Sequence, residues 1–255
     1  MPATPAWPPK SAPRLFVEDE LGAGRIFALD GNRAHYLGKV MRVAEGDTVI
    51  LCDDITGEWA ARVGQVGKRR VDVKAIERLR PREAVPDLWL CPALLKKDRF
   101  DLVLEKATEL GVAAIHPVIT RRCVADKLNP ERARTIVTEA AEQCARTALP
   151  ALAEPVKLDS LLSQWPQDRA LFFADEEGGE PAAEAFARGS GSQHPQAAIL
   201  TGPEGGFDDA ERAAIRALPQ AVPISLGPRI LRGETAALAA IAVWMANAGD
   251  WRTYE

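Results

Sequence analysis

From residue 87 onward, short apolar runs alternate with longer segments of helical periodicity, and this alternation constrains the fold more than any other feature of the chain. The apolar runs that predict strands lie at residues 87–95, 112–119, 169–174, 197–201 and 222–226. Strands separated by helices cannot pair as hairpins, so they lie parallel in one sheet with helices on both faces. The pattern therefore predicts an α/β domain with a mostly parallel sheet over residues 87–255.

Helix signals lie between these strands. Asp98 is positioned to cap a helix that ends before Gly111. Asn129 and Pro130 open a longer helix, with asparagine as the N-cap residue and proline in the first turn. Further helices are predicted after Asp159, after Asp208 and over residues 234–248. The last of these is rich in alanine, which permits close packing of a second helix.

The first eighty residues have a different pattern. Their predicted strands, at residues 25–29, 47–53, 58–66 and 70–76, are rich in Val and Ile and are separated by glycine-containing turns. A helical insert is expected over residues 31–41. This pattern predicts a small β-rich domain of the β-barrel type over residues 14–80. The segment 80–86, with two prolines, is the predicted linker.

The N-terminal segment, residues 1–13, is rich in Pro and Ala and lacks the apolar core of a signal peptide. It is predicted to be a flexible arm, and a cytoplasmic location is expected. The weakly polar run at residues 235–246 is too short to span a bilayer, so no membrane association is expected. The four cysteines form no CxxC pair and the three histidines are isolated, so the sequence predicts free thiols and no metal site.

The distribution of charge bears on partners. The chain has 32 basic and 36 acidic residues, and its first 80 residues hold 13 and 11 of these. Because the chain is not a polycation, contact with nucleic acid requires local patches. The candidate patches are Lys68-Arg69-Arg70, Lys96-Lys97 with Arg99, and Arg121-Arg122 with Lys127. The alternative for each patch is an ordinary solvated face.

Two loops that follow predicted strands concentrate the chemistry. The first, residues 200–207 (LTGPEGGF), has three glycines that allow tight turns and close approach of the backbone to a ligand, and a helix N-terminus follows it. The second, residues 226–235 (LGPRILRGET), places Arg229 and Arg232 around an apolar pair. Ligands bind outside the carboxyl ends of strands in open α/β sheets. The alternatives are a plain strand-to-helix turn and arginines that bind neighbouring carbonyls.

Together these two loops resemble the signature of the SPOUT-class methyltransferases, and more closely the 16S ribosomal RNA uracil-N3 methyltransferase family. Other segments that resemble the family are residues 14–17, 35–42, 97–112 and 139–150. The resemblance covers about residues 14–250. It implies a PUA-like β-barrel joined to an α/β domain with a deep trefoil knot, a homodimer, and a 16S ribosomal RNA substrate, expected within the small ribosomal subunit.

The resemblance also implies S-adenosylmethionine as the cofactor, held among the loops of the knot. The cofactor-binding residues carried over from it are Phe173, Ala174, Leu200, Thr201, Gly202, Pro203, Glu204, Gly205, Gly206, Leu226, Gly227, Arg229, Ile230, Leu231 and Arg232. Backbone groups of such loops suit the adenine edge because they are donors and acceptors that need no ordering.

Methyl transfer to uracil N3 requires that the nitrogen lose its proton. Arg229 or Arg232 could stabilise the negative charge that develops on O2 or O4. A unit pair at roughly 4 Å with an effective dielectric constant near 20 contributes at most about 4 kcal/mol. Glu204 is the candidate base, with the alternative that it caps the following helix or orients a loop arginine. The expected catalytic residues are therefore Arg232, Arg229 and Glu204.

RNA binding is expected to use the basic clusters. Arg14 and Arg146, which lie in two of the matching segments, complete a predicted set that comprises Arg14, Lys68, Arg69, Arg70, Arg121, Arg122 and Arg146. Two other functions stay open at this stage. One is a non-catalytic RNA-binding or ribosome-assembly factor that holds a nucleotide for structure, and the other is a methyltransferase for a small metabolite.

Overall fold

The computed structural model describes residues 8–9, 11–189 and 196–252, so most of the predicted N-terminal arm lies outside the described residues. The chain divides into two compact units, one formed by Met1–Ala84 with Ala141–Leu149, the other by Val85–Ala140 with Pro150–Glu255. The first boundary falls within the predicted linker. Ala141–Leu149 clusters with the first unit, although it lies in the sequence range predicted for the second.

The first unit is built on a five-stranded sheet. Its strands are β1 (Arg14–Phe16), β2 (Ile26–Asp30), β3 (Thr48–Cys52), β4 (Glu58–Val66) and β5 (Arg70–Arg80), in the order β1-β3-β4-β5-β2. β1 runs parallel to β3, and the remaining pairs are antiparallel. The predicted β-rich domain is therefore present. The bounds predicted for β4 are those observed, those for β2 and β3 differ by one residue at each end, and β5 continues four residues beyond its predicted end.

Alternate residues of these strands form the core of the first unit. Val49, Leu51, Val71 and Val73 are fully buried on one face, as the two-residue period of a strand requires. The helical insert after β2 divides into α1 (Gly31–His35) and a π-helical turn (Tyr36–Val40). Leu37, which is 0% exposed, anchors this insert in the core.

Asp53 organises the turn that joins β3 to β4. It is 4% exposed, and its carboxylate accepts hydrogen bonds from the backbone N–H groups of Leu21, Ile55, Thr56 and Gly57 at 2.7–3.1 Å. Burial acts to raise the pKa of Asp53, but these hydrogen bonds and that of the Thr56 hydroxyl outweigh it and hold the pKa below its ordinary value.

Asp53→Asn is expected to lower the free energy of unfolding by about 1 to 3 kcal/mol at neutral pH, because the amide group cannot accept on both sides. A depressed carboxyl pKa contributes stability that is present above the unfolded pKa and is lost as the pH falls through the folded pKa. The difference from the wild type should therefore shrink below about pH 4. Urea denaturation at pH 7 and pH 3.5 measures this, with the exposed Asp19→Asn as control. A deficit that does not depend on pH would contradict the assignment.

The second unit holds a seven-stranded, wholly parallel sheet. Its strands are β6 (Leu88–Pro92), β7 (Ala114–Ile115), β9 (Ala151–Leu152), β11 (Ala170–Ala174), β12 (Glu180–Pro181), β13 (Ala197–Thr201) and β14 (Ala221–Ser225), in the order β12-β14-β11-β13-β6-β7-β9. The helices that follow residue 85 are α2 (Lys97–Glu109), α3 (Pro130–Cys144), α4 (Leu158–Ser163), α5 (Ala182–Gly189), α6 (Asp209–Arg216) and α7 (Gly233–Asn247), followed by a 3₁₀ turn (Asp250–Arg252). The last four residues of α3 belong to the first unit. The predicted mostly parallel α/β sheet is confirmed.

Two local predictions were wrong. Residues 112–119 do not form one strand, since β7 joins the large sheet whereas β8 (Val118–Ile119) pairs with β10 (Val156–Lys157) in a sheet of two strands. Pro117 separates β7 from β8, and a proline lacks the N–H needed to continue a ladder. Asp98 does not cap α2, because Lys96 occupies the N-cap position and Asp98 lies in the first turn.

The order of the strands determines which loops meet. β13 lies between β11 and β6, and β14 lies on the other side of β11. Because all these strands are parallel, the loops that follow β11, β13 and β14 emerge at the same edge of the sheet.

Among the described residues, no helix has both the length and the apolar character that crossing a bilayer requires.

Candidate active site

The loops after β11, β13 and β14 enclose one cavity of about 320 Å³. This volume is within the range of small-molecule sites. In the order of the strands that precede them, we call these the first, second and third loops. The first loop, after β11, contributes Ala174 to Gly178. The second, after β13, contributes Gly202, Pro203, Gly206 and Phe207, and the third, after β14, contributes Ser225 to Leu231. Three chain segments that are far apart in the sequence thus form one concave site at the carboxyl edge of the sheet.

Two glycines shape the walls of this cavity. Gly206 has a φ of +66°, and a Cβ there would lie 2.8 Å from Cδ of Glu176, in space that the glutamate carboxylate fills. Gly227 has a φ of +106°, and a Cβ there would meet nothing within 4 Å. Both conformations favour glycine. At Gly206 the missing side chain lets the second loop approach the first, and at Gly227 it leaves backbone open to a ligand.

The start of α7 also lines the cavity, through Gly233 and Ala236. A Cβ on Gly233 would lie 3.0 Å from the carbonyl oxygen of Gly202 and 2.9 Å from Cδ2 of Leu95. The segment between β14 and α7 therefore passes directly against the loops that follow β13 and β6. Only a residue without a side chain permits so close an approach.

An ionic network centred on the buried pair Asp175 and Arg212 holds the first loop. Asp175, whose side chain is 0% exposed, binds Arg212 at 3.1 Å and Arg216 at 2.6 Å. Arg212 also binds Glu176 at 2.9 Å and Glu177 at 2.7 Å. The hydrogen bond to Asp175 raises the pKa of Arg216 above its ordinary value. Both arginines are on α6, so this helix determines the position of the acidic turn that lines the cavity.

Arg121 and Arg122 hold the second loop. Arg122 donates to the carbonyl oxygens of Gly205 at 2.9 Å and Phe207 at 3.3 Å. Arg121 binds Asp208 at 3.0 Å, and its backbone N–H donates to the Glu211 carboxylate at 2.7 Å. Asp208 and Glu211 form a capping box at the start of α6. The hydrogen bond from the Glu211 N–H, with a smaller contribution from Arg121, lowers the pKa of Asp208.

The predicted cofactor residues fall into three groups. Those that line the cavity are Ala174, Gly202, Pro203, Gly206, Leu226, Gly227, Arg229, Ile230 and Leu231. Phe173, Leu200 and Thr201 are at most 1% exposed and belong to the strands beneath it. Glu204, Gly205 and Arg232 are exposed and lie outside this lining. Asp175, Glu176, Glu177 and Gly178 also line the cavity but were not predicted as site residues, although they form an acidic run directly after a predicted strand.

The expected catalytic residues occupy different positions. Arg229 is exposed and lines the cavity. Arg232 is exposed at the N-cap of α7, three residues further on. Glu204 is exposed and does not line the cavity, and Asp208 rather than Glu204 caps α6. Of the three, Arg229 is therefore best placed to contact a bound molecule.

The predicted RNA-binding residues also differ in their surroundings. Lys68, Arg69 and Arg70 are exposed at the hairpin between β4 and β5. Arg14 binds Glu58 at 2.9 Å, and Arg146, which is 5% exposed, lies 3.9 Å from Glu83. Burial lowers the pKa of Arg146, and Glu83 opposes this effect. These contacts give Arg14 and Arg146 a structural role within the first unit, so an RNA contact by either stays a prediction.

The comparisons with known proteins identify the family. The model of an RNA methyltransferase domain matches residues 82–245, and that of an RNA methyltransferase PUA domain matches residues 29–76. The ribosomal RNA small subunit methyltransferase E of Rickettsia conorii is 31% identical over 231 residues, which cover 90% of this chain and 93% of that protein. The chain belongs to this family. The predicted family and enzyme class, an RNA methyltransferase, are thereby confirmed.

Further similarities agree with this assignment. The Bacillus subtilis ribosomal RNA small subunit methyltransferase E is 31% identical over 90% of this chain and 94% of its own. The crystal structure of the Neisseria gonorrhoeae family member, bound to S-adenosylmethionine, matches with a TM-score of 0.83 and 28% identity over 94% of this chain and 99% of that one. Family membership thus extends over both units.

Among the described residues, no three metal-ligating side chains come together.

Proposed function

We propose that this enzyme transfers the methyl group of S-adenosylmethionine to N3 of one uridine in 16S ribosomal RNA. The observation that carries the proposal is the cavity formed by the loops after β11, β13 and β14, with Arg229 in its wall, in a member of this family. The names of the relatives support a small-subunit ribosomal RNA substrate. The choice of N3 rests on the resemblance described above.

The residues of the cavity fit S-adenosylmethionine. Its volume suits a nucleoside-sized ligand, and the missing side chain at Gly227 leaves backbone open, which an adenine edge requires. Ala174, Gly202 and Leu231 would hold the nucleoside from three sides, and the charged groups of the lining are Asp175, Glu176, Glu177 and Arg229. The cofactor, when bound, supplies an electrophilic methyl group on a sulfonium.

Arg229 and Arg232 act on the base in this proposal. A guanidinium beside O2 or O4 stabilises the anion that uracil becomes when N3 loses its proton. Arg229 is favoured because it lines the cavity, and Arg232 lies at the start of α7, where it could contact the RNA strand. Glu204 remains a candidate base only if the substrate covers the exposed side of its loop.

We also infer that the second unit is a trefoil knot and that the enzyme is a homodimer. The close passage of Gly233 against Gly202 and Leu95 supports the knot, because the chain enters α7 between two earlier loops.

An apolar strip on α7 supports the dimer, since Leu238, Ala242 and Ala246 are incompletely buried within one chain. Light scattering at micromolar concentration tests the dimer, and a monomer mass would contradict it. A cytoplasmic location is part of the same proposal.

The decisive experiment is methyl transfer from tritiated S-adenosylmethionine to small ribosomal subunits isolated from cells that lack the enzyme. Nuclease digestion and mass spectrometry of the product then identify the modified nucleoside. We expect one 3-methyluridine per 16S RNA. Tight RNA binding without any transfer would instead indicate the non-catalytic assembly factor, and transfer to another nucleoside would refute the N3 assignment alone.

Arg122 provides a prediction that separates loop support from RNA contact. Arg122→Ala should weaken S-adenosylmethionine binding about 3- to 10-fold, because two carbonyls of the second loop lose their donor. Arg122→Lys should restore part of the affinity. Calorimetric titration measures this without RNA, with the exposed Arg134→Ala as control. Unchanged cofactor affinity together with weaker RNA binding would show that Arg122 is an RNA-contact residue instead.

A further inference from the structure

Ile230 is an apolar residue that is almost fully exposed and yet belongs to the wall of the cavity. It exposes 92% of its surface, more than any other large apolar side chain in the part of the chain that the structure describes. A single exposed apolar residue is ordinary on a protein surface. One in the wall of a ligand cavity is different, because its side chain is available to whatever enters the cavity.

The third loop holds this side chain away from the rest of the unit. At one end, Gly227 N–H donates to the Ser225 hydroxyl at 3.3 Å, and Pro228 restricts the next φ angle. At the other end, Gly233 is buried and packs closely against the second loop and Leu95. The loop is therefore anchored at both ends, and its exposed middle presents the isoleucine to solvent.

Two arginines flank the exposed isoleucine. Arg229 directly precedes it and Arg232 follows two residues later, and both are exposed. Among the residues that the structure describes, neither guanidinium makes a hydrogen bond or an ion pair. An apolar side chain between two such cations matches an RNA strand, whose bases have apolar faces and whose phosphates and base oxygens accept hydrogen bonds.

The chemistry of the proposed substrate requires that the target base leave its stack. N3 of uracil lies between O2 and O4, on the edge by which the base pairs. A base that is paired or stacked cannot bring this edge into a concave cavity, so the nucleotide has to be extruded. Extrusion leaves a gap between the two neighbouring bases, and proteins that open a stack fill such gaps with apolar side chains such as Ile, Leu, Phe or Met.

We propose that the side chain of Ile230 fills the gap that the target uracil leaves in the RNA stack, and so holds the base in the cavity. Ile230 contacts the neighbouring bases, whereas Arg229 in the same wall contacts the uracil, so the isoleucine is a positioning residue. The inference rests on the proposed function, since it supposes a uracil target, and it adds the group that keeps this base extruded.

Ile230→Ala should lower kcat/KM for small ribosomal subunits about 10- to 100-fold, because nothing then offsets the cost of unstacking the base. Ile230→Leu, which keeps an apolar side chain of the same size, should restore most of the activity. The Kd for S-adenosylmethionine, the Tm and the mass in solution should stay those of the wild type. Ile55→Ala is the matched control, because Ile55 is 61% exposed and follows β3, outside the cavity lining.

A second substrate distinguishes a side chain that fills the stack from one that packs against the extruded uracil. After mass spectrometry has located the modified uridine, small subunits are reconstituted with ligated 16S RNA in which both neighbours of that uridine are abasic. This RNA has no stack to open, so Ile230→Ala should transfer methyl groups to it within about threefold of the wild-type rate. The expected result is therefore a large deficit on the natural subunit and a small one on the abasic subunit.

Three results would overturn the inference. An equal deficit on both substrates would mean that Ile230 packs against the uracil, and a weaker affinity for S-adenosylmethionine that accounts for the deficit would make it a cofactor contact. Wild-type kcat/KM in Ile230→Ala would mean that the side chain has no part in the reaction. If the wild-type enzyme itself transfers no methyl group, the proposed function fails instead, so the two failures are distinguishable.

Discussion

Gly206→Val is expected to reduce the affinity for S-adenosylmethionine by at least about 100-fold, and methyl transfer with it. Gly206 has a φ of +66°, which a β-branched residue does not tolerate, and its Cβ would overlap the Glu176 carboxylate. Relief of this overlap requires that the second loop move apart from the first loop, which carries Glu176. Both of them line the cavity, and a 100-fold loss corresponds to about 2.7 kcal/mol.

The adjacent glycine is a matched control. Gly205 does not line the cavity and its φ is not positive, and a Cβ on it would lie 3.2 Å from Cβ of Arg122. Gly205→Val should therefore weaken binding by about tenfold or less. Calorimetric titration of both variants, with circular dichroism to show that they fold, decides the matter. Equal losses in the two variants would mean that the cavity is not the cofactor site.

Arg229→Ala is expected to reduce kcat by about two to three orders of magnitude, as for the loss of one donor to a developing anion. The side chain is exposed, so the thermal stability should not change. The loss should lie in kcat rather than in the affinity for RNA, because the charge on the base develops during the reaction. Single-turnover methyl transfer to small subunits, beside filter binding of the same particles, measures the two quantities.

Arg232→Ala is the informative comparison. If Arg232 rather than Arg229 stabilises the base, the large loss in kcat will move to this variant, and the assignment made from the cavity lining will be wrong. If both losses are within about threefold of the wild type, neither arginine stabilises the anion. A variant that loses kcat and stability together would indicate a defect in the loop after β14 rather than in catalysis.

Much of the site was predictable from local sequence. A strand followed by a glycine-rich turn and a helix is governed by hydrogen bonding and dihedral preferences within a few residues, so residues 200–207 and 226–235 could be recognised in isolation. The N-cap at Asn129 and the parallel sheet followed from the same local rules. The pattern also indicated that loops at the carboxyl ends of strands would form the site.

The arrangement of these loops was not predictable, because it depends on strand order. Nothing in the local pattern places β13 between β11 and β6, yet that order brings the acidic turn at Asp175 into the cavity. Long-range pairing explains the other differences. Arg122, predicted from charge to bind RNA, donates to the second loop from 83 residues away in the sequence.

The sequence alone therefore determined most of the elements, their alternation and the two loops that resemble the family signature, because each depends on neighbours along the chain. Only the tertiary structure decided which charged groups are neutralised internally and which remain exposed. Arg14 and Arg212 are bound to carboxylates, whereas Lys39 and Arg42 are exposed at the end of the helical insert that follows β2. An ion pair forms between residues brought together by folding, and its existence cannot be deduced from the charge of either residue.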